Sequence, residues 1–165
     1  MKLAEKLTVV AIVGILAAIS LPSYLDLVNR IKLNAAINQI VESMKQTRYA
    51  ALDEDPKTVC IKTSVNRIDI AGIHGTDCEN GVGWNQAPSG IKIDEPNSTL
   101  RRVAGVAGNQ GNIYRASWAT TAAGYGGSWG QLGRITLTIG THRKCVFLKN
   151  VQGDIEVKQN RSCLR

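Results

Sequence analysis

The stretch LTVVAIVGILAAISLPSYL, Leu7 to Leu25, runs for nineteen residues without a charge and comes just after a carboxylate at Glu5. As a helix rising ~1.5 Å per residue it would be about 28 Å long, which matches a bilayer hydrocarbon core of about 30 Å. One membrane span is expected. A carboxylate at the edge of such a segment costs on the order of a few kcal/mol to bury, so Glu5 needs a partner or a functional reason. Gly14 and Pro22, a flexible residue and a helix breaker, stand where an optimised anchor would carry Leu or Ile, so this helix is expected to bend or loosen there.

The run from Met1, with Glu5, Gly14, Ile15, Leu16, Ala17, Ala18, Pro22 and Tyr24, resembles the N-terminus of mature type IV pilins and of type II secretion pseudopilins. The resemblance covers about the first third of the chain. Lys2 and Lys6 depart from it, standing where relatives usually carry an uncharged polar and an apolar residue. It implies a processed chain, whose leader a prepilin peptidase removes ahead of an N-methylated Met1. It implies a single span in the bacterial inner membrane before assembly, and an extracellular filament of this chain and other pilins, built by the pilus assembly machinery. Within the filament, Glu5 of one subunit would pair with the Met1 amine of a neighbour and set the axial register. The stretch from Gly14 to Pro22 would let the helix extend. Two other readings of the same residues are a cleaved signal peptide, with Lys2 and Lys6 as its charged start, and a single-span anchor for an unrelated domain. The signal-peptide reading leaves Glu5 and Pro22 as accidents.

Past Pro22 the pattern changes. Leu33, Ile37, Ile40, Val41, Met44 and Ala51 fall three or four apart, with Asn34, Asn38, Gln39, Glu42 and Lys45 on the other side. That is one helix turning amphipathic, with its Met44 side toward a domain. It should end near Leu52, since Asp53, Glu54 and Asp55 form a charge run and Pro56 cannot continue a helix. Its full length would be about 78 Å. The chain thus divides into a transmembrane half over 1–25, an amphipathic half over 26–55 and a globular part over 56–165. The last, about 110 residues, is enough for one modest core.

The globular part reads as antiparallel β structure. Short runs at Thr58 to Ile61, Arg67 to Ile70 and Ile91 to Ile93 are separated by turn residues. Cys145 to Lys149 should pair with Asp154 to Lys158, and Arg134 to Ile139 alternates strictly enough to add a third strand. Gly105 to Gly133, rich in Gly, Ala, Ser and Thr, reads as a long loop anchored by Tyr114, Trp118, Tyr125 and Trp129 through local packing. The expected fold is α+β, a long N-terminal helix carrying an antiparallel sheet domain as in pilins.

Four cysteines, Cys60, Cys78, Cys145 and Cys163, lie outside the apolar segment, and an even count beside an export signature points to two disulfides. Three pairings are open. Cys60 with Cys78 and Cys145 with Cys163 is favoured, because each closes a local loop of the same spacing, and the resemblance implies the second as the bridge closing the C-terminal region. A zinc site has little to work with, for no CxxC pair exists and only His74 and His142 are available. No cofactor or metal is expected. No Walker lysine and no GxSxG elbow occur, and His74 near Asp77 and His142 near Cys145 read as turn or surface neighbours, so catalysis is not expected. Asp53, Glu54 and Asp55 read as a solvated helix end in preference to a calcium site.

The net charge of +7 is concentrated at the end of the chain. Arg134, Arg143, Lys144, Lys149, Lys158, Arg161 and Arg165 face only Asp154 and Glu156, seven cations against two carboxylates, a local +5. Such a face suits DNA or another surface polyanion, or acidic neighbouring subunits. Gln46 to Leu52 and this Cys-containing end also resemble the minor pilins and pseudopilins of the GspH and FimT group. That resemblance implies DNA binding through Arg143, Lys144, Lys158, Arg161 and Arg165. The sequence therefore offers two functions, a structural pilus subunit or a minor subunit that primes or tips a filament and holds DNA.

Overall fold

One helix, α1 (Leu3–Ala50), runs unbroken through the first third of the computed structural model. The structure describes residues 3–51, 57–64, 66–75, 77–78, 83–103, 113–118, 133–149 and 154–164. At ~1.5 Å per residue its 48 residues reach about 72 Å. Pro22 lies inside it and leaves the Ala18 carbonyl without its usual donor, yet the helix continues. Ser20 Oγ donates to the neighbouring Ala17 carbonyl at 3.3 Å. The stretch expected to loosen is thus helical here. The last turn closes with Ala51 N donating to the Thr47 carbonyl at 3.0 Å, and 52–56, with the acidic run, lie outside the described residues.

The second half of α1 is amphipathic as its spacing requires. Leu33, Ala36, Ile37, Ile40, Met44 and Thr47 are buried, while Asn34, Asn38, Gln39, Glu42 and Lys45 are exposed.

Two antiparallel sheets receive that buried face. The first contains β1 (Lys57–Ser64), β2 (Arg67–His74), β3 (Asn85–Gln86), β5 (Arg101–Val103) and β6 (Ile113–Trp118), in the order β3-β2-β1-β6-β5. The second contains β4 (Lys92–Ile93), β7 (Gly133–Ile139), β8 (His142–Leu148) and β9 (Ile155–Gln159), in the order β4-β7-β8-β9. Val59 and Ile61 of β1, Ile68 and Ile70 of β2, Ile135 and Leu137 of β7 and Val146 and Leu148 of β8 join the helix residues in one core. Alternation sends Cys60 of β1 to the opposite face, where it packs with Cys78, Ile113, Ile73 and Trp84 in a second cluster. The first sheet is therefore covered on both sides, which explains why β1 is buried continuously from Thr58 to Ile61.

The expected C-terminal meander is present. Ile135 pairs with Val146 across β7 and β8, and Val146 with Val157 across β8 and β9. The turn over 150–153 lies outside the described residues. The glycine-rich segment needs correcting, because β6 stands inside what reads as a loop. It pairs Tyr114 with Ile61 and Ala116 with Val59. Tyr114 and Trp118 are core residues of a strand, while Tyr125 and Trp129 fall outside the described residues.

A strap crosses the open side of β7. Thr99 N and Leu100 N both donate to the Arg134 carbonyl, at 2.8 and 3.0 Å. A side chain at Gly133 would meet the Leu100 backbone at 3.2 Å, so only glycine lets the strap lie this close.

Candidate functional site

Among the described residues, no part of the domain covers the first half of α1. Leu7, Val10, Ile12, Ile15, Leu16 and Leu21 are 53 to 69% exposed, and Leu25, Leu27 and Ile31 continue the apolar surface toward the domain. A helix apolar on all sides and bare in an isolated chain belongs in lipid or among other helices. By length and composition it is able to cross a membrane. Of the residues expected to drive assembly, Gly14 lies in open space on this half and Pro22 within it. Glu5 is in the helix but its side chain is outside the described residues, as is Met1.

Among the described residues, the domain meets α1 nearest its apolar half at the β7–β8 turn and the start of β8. Asp26 of the helix bonds His142 of β8 and pairs with Arg30 Nε at 2.9 Å, one turn further on. The bond from His142 holds the Asp26 carboxyl below its ordinary value, with Arg30 adding to the effect against partial burial. Gly140, at φ +56, turns the chain beside Asn29. His142 is therefore a strut between helix and sheet, away from Cys145, whose sulfur is bonded to Cys163. No spacing in the sequence announces Asp26 as its partner, 116 residues away.

The structure gives four of the C-terminal cations partners within the domain. Arg134 is buried, with Nε donating to the Asn97 carbonyl at 2.6 Å and Nη1 to the Leu164 carbonyl at 2.9 Å, so it ties the strap and the chain end to β7. Arg143 Nε pairs with Asp94 at 2.7 Å. Lys149 and Lys158 share Glu156, at 2.8 and 3.5 Å, and the bond from Lys149 holds the Glu156 carboxyl low. Lys158 also stands over the Phe147 ring. Lys144 and Arg161 make no ion pair among the described residues, and Arg165 lies outside them. Asp94 and Glu156 are the residues that sequence counting underrates, because it adds charges without their pairings.

Both disulfides close local loops. Cys60 is bonded to Cys78 and Cys145 to Cys163, each across a separation of 18 residues. No group of three metal-ligating side chains occurs among the described residues.

Comparison with known proteins sets a likeness beside this geometry. Two proteins named fimbrial protein, both from Pseudomonas aeruginosa, are each 28% identical over 128 residues, 77% of this chain and 80% of theirs. The chain fits a type IV pilin. No family model matches the chain, and no solved structure does.

Proposed function

We propose that this chain is a structural subunit of a type IV pilus, held in a membrane by the first half of α1 and polymerised through it. The observation that carries the reading is the bare apolar surface from Leu7 to Ile31. Each large apolar side chain taken out of water contributes about 1.5–3 kcal/mol, so a row of them drives insertion or bundling strongly. Similarity to fimbrial proteins supports a pilus subunit. In the assembled fibre Glu5 pairs with the amine of Met1 in a neighbouring copy. In a low dielectric either ion left alone is heavily penalised, so the pair fixes the axial register of helices whose apolar contacts would tolerate sliding. Gly14 and Pro22 leave the helix backbone weakest between them, which lets a subunit lengthen as the fibre is pulled. The reading includes no catalytic step.

A DNA-holding minor subunit is less well supported, since Asp94 and Glu156 already occupy Arg143 and Lys158. The deciding experiment is electron microscopy of filaments sheared from cells expressing stable Glu5→Ala and Glu5→Gln chains. Both are expected to give no fibres, whereas normal fibres from either variant would end the register argument.

A further inference from the structure

The end of the domain nearest the apolar helix carries a cleft of about 530 Å³ between α1 and the β7–β8 turn. Arg30, Asn34, Thr141, His142, Arg143 and Lys144 line it. Asp26 takes Arg30 and His142, and Asp94 takes Arg143. Lys144 has no carboxylate partner among the described residues. The cleft therefore holds one cation in excess with His142 neutral and two with it protonated.

Its position along the chain says what it faces. Arg30 is five residues beyond Leu25, about 7.5 Å up the axis from the end of the uncharged run. A headgroup layer is roughly 5–8 Å thick on each side of the hydrocarbon. Exposed Tyr24 sits at the boundary, where aromatic rings settle at a membrane surface, and exposed Leu27 and Ile31 flank Arg30 as side chains that reach acyl chains do. Cations and apolar side chains interleaved at that depth match a lipid with an anionic head.

We propose that this cleft takes the phosphodiester headgroup of an anionic phospholipid and so seats the domain on the membrane before assembly. The inference rests on the membrane-inserted part of the reading above. Arg30 and Lys144 supply the charge, Asn34 and Thr141 supply hydrogen bonds to phosphate oxygens, and the β7–β8 turn meets the bilayer first.

The test uses the full chain. Flotation with vesicles of neutral phosphatidylcholine first reads insertion itself; a chain that stays in solution overturns both the membrane reading and this proposal. Native mass spectrometry then compares retained phosphatidylglycerol with phosphatidylcholine from an equimolar mixture in detergent. Wild-type chain should favour phosphatidylglycerol, and R30Q/K144Q should lose that preference at about fivefold per cation removed. Lys2 and Lys6, at the other end of the span, are the competing cations. A preference that survives R30Q/K144Q but vanishes in K2Q/K6Q, or no preference in a chain that floats, overturns the cleft and leaves insertion standing. Glycerol 3-phosphate added in excess over lipid should fail to displace the lipid; displacement would mean that the cleft takes soluble phosphate esters instead.

Discussion

The two halves of α1 share one backbone and both carry Ile, Leu and Ala, yet Leu16 is 62% exposed and Ile40 is fully buried. The difference lies in periodicity. From Leu7 to Leu25 the apolar residues go all the way round, so no single face defines a partner and the whole cylinder asks for a non-aqueous surrounding. From Leu33 to Met44 they keep to one stripe, and two sheets of the same chain cover it. Folding within the chain satisfies one half, and only another molecule or a bilayer satisfies the other. A protein built this way separates the stability of its domain from its capacity to assemble.

The sharpest way to break that comparison is to cut one side chain in each half. Ile40→Ala opens a cavity in a core shared by both sheets and should cost about 2–5 kcal/mol in urea unfolding of the full chain in detergent. Ile12→Ala, at a position 53% exposed in the isolated chain, should leave that transition within about 0.5 kcal/mol of wild type while lowering filament yield. Equal losses from the two would mean that the halves of the helix are not energetically separate.

How far the sequence reveals this architecture follows from the range of the forces involved. Periodicity is local, so the uncharged run, the stripe from Leu33 to Met44 and the C-terminal meander can all be read directly. β6 escapes because Ile113, Tyr114, Ala116 and Trp118 span only six residues within a glycine-rich surround, and its longer partner, β1, lies far away in sequence. The candidate site divides in the same way. The exposed apolar surface is legible as composition, whereas the meaning of Arg134, Arg143, Lys149 and Lys158 depends on the Asn97 carbonyl, Asp94 or Glu156, contacts that only the folded chain makes.

A second contrast sets the two disulfides against each other. Both close loops of equal separation, so restriction of the unfolded chain alone gives each about 3 kcal/mol. Their surroundings differ. Cys60 and Cys78 lie inside the second apolar cluster, whereas Cys163 stands in a short 3-10 turn, Asn160–Cys163, whose end is also held by Arg134 through the Leu164 carbonyl. The double serine replacement at Cys60 and Cys78 should therefore lower stability by at least that amount and loosen β1 and β2 in hydrogen exchange. The replacement at Cys145 and Cys163 should lose about the same or less, with new exchange confined to β8, β9 and the chain end. A reversed order would show that Arg134 does not hold the terminus unaided.

The smallest effect belongs to the junction where the two halves of α1 meet. Asp26 has its folded value depressed by the bond from His142, so its contribution is fully present above the ordinary carboxylate value of 3.8 and is lost as pH falls through the lower folded value. Protection factors for the amides of Gly140 to His142, followed from pH 5 down to about 2.5, should fall below pH 3.8 in the wild-type chain. In Asp26→Asn they should start lower and stay nearly flat over the same range, with the Ile40 region unaffected in both. A wild-type profile as flat as that of the variant would mean that the helix emerges from the domain without this strut, and that the division between the covered and bare halves is set by the apolar stripe alone.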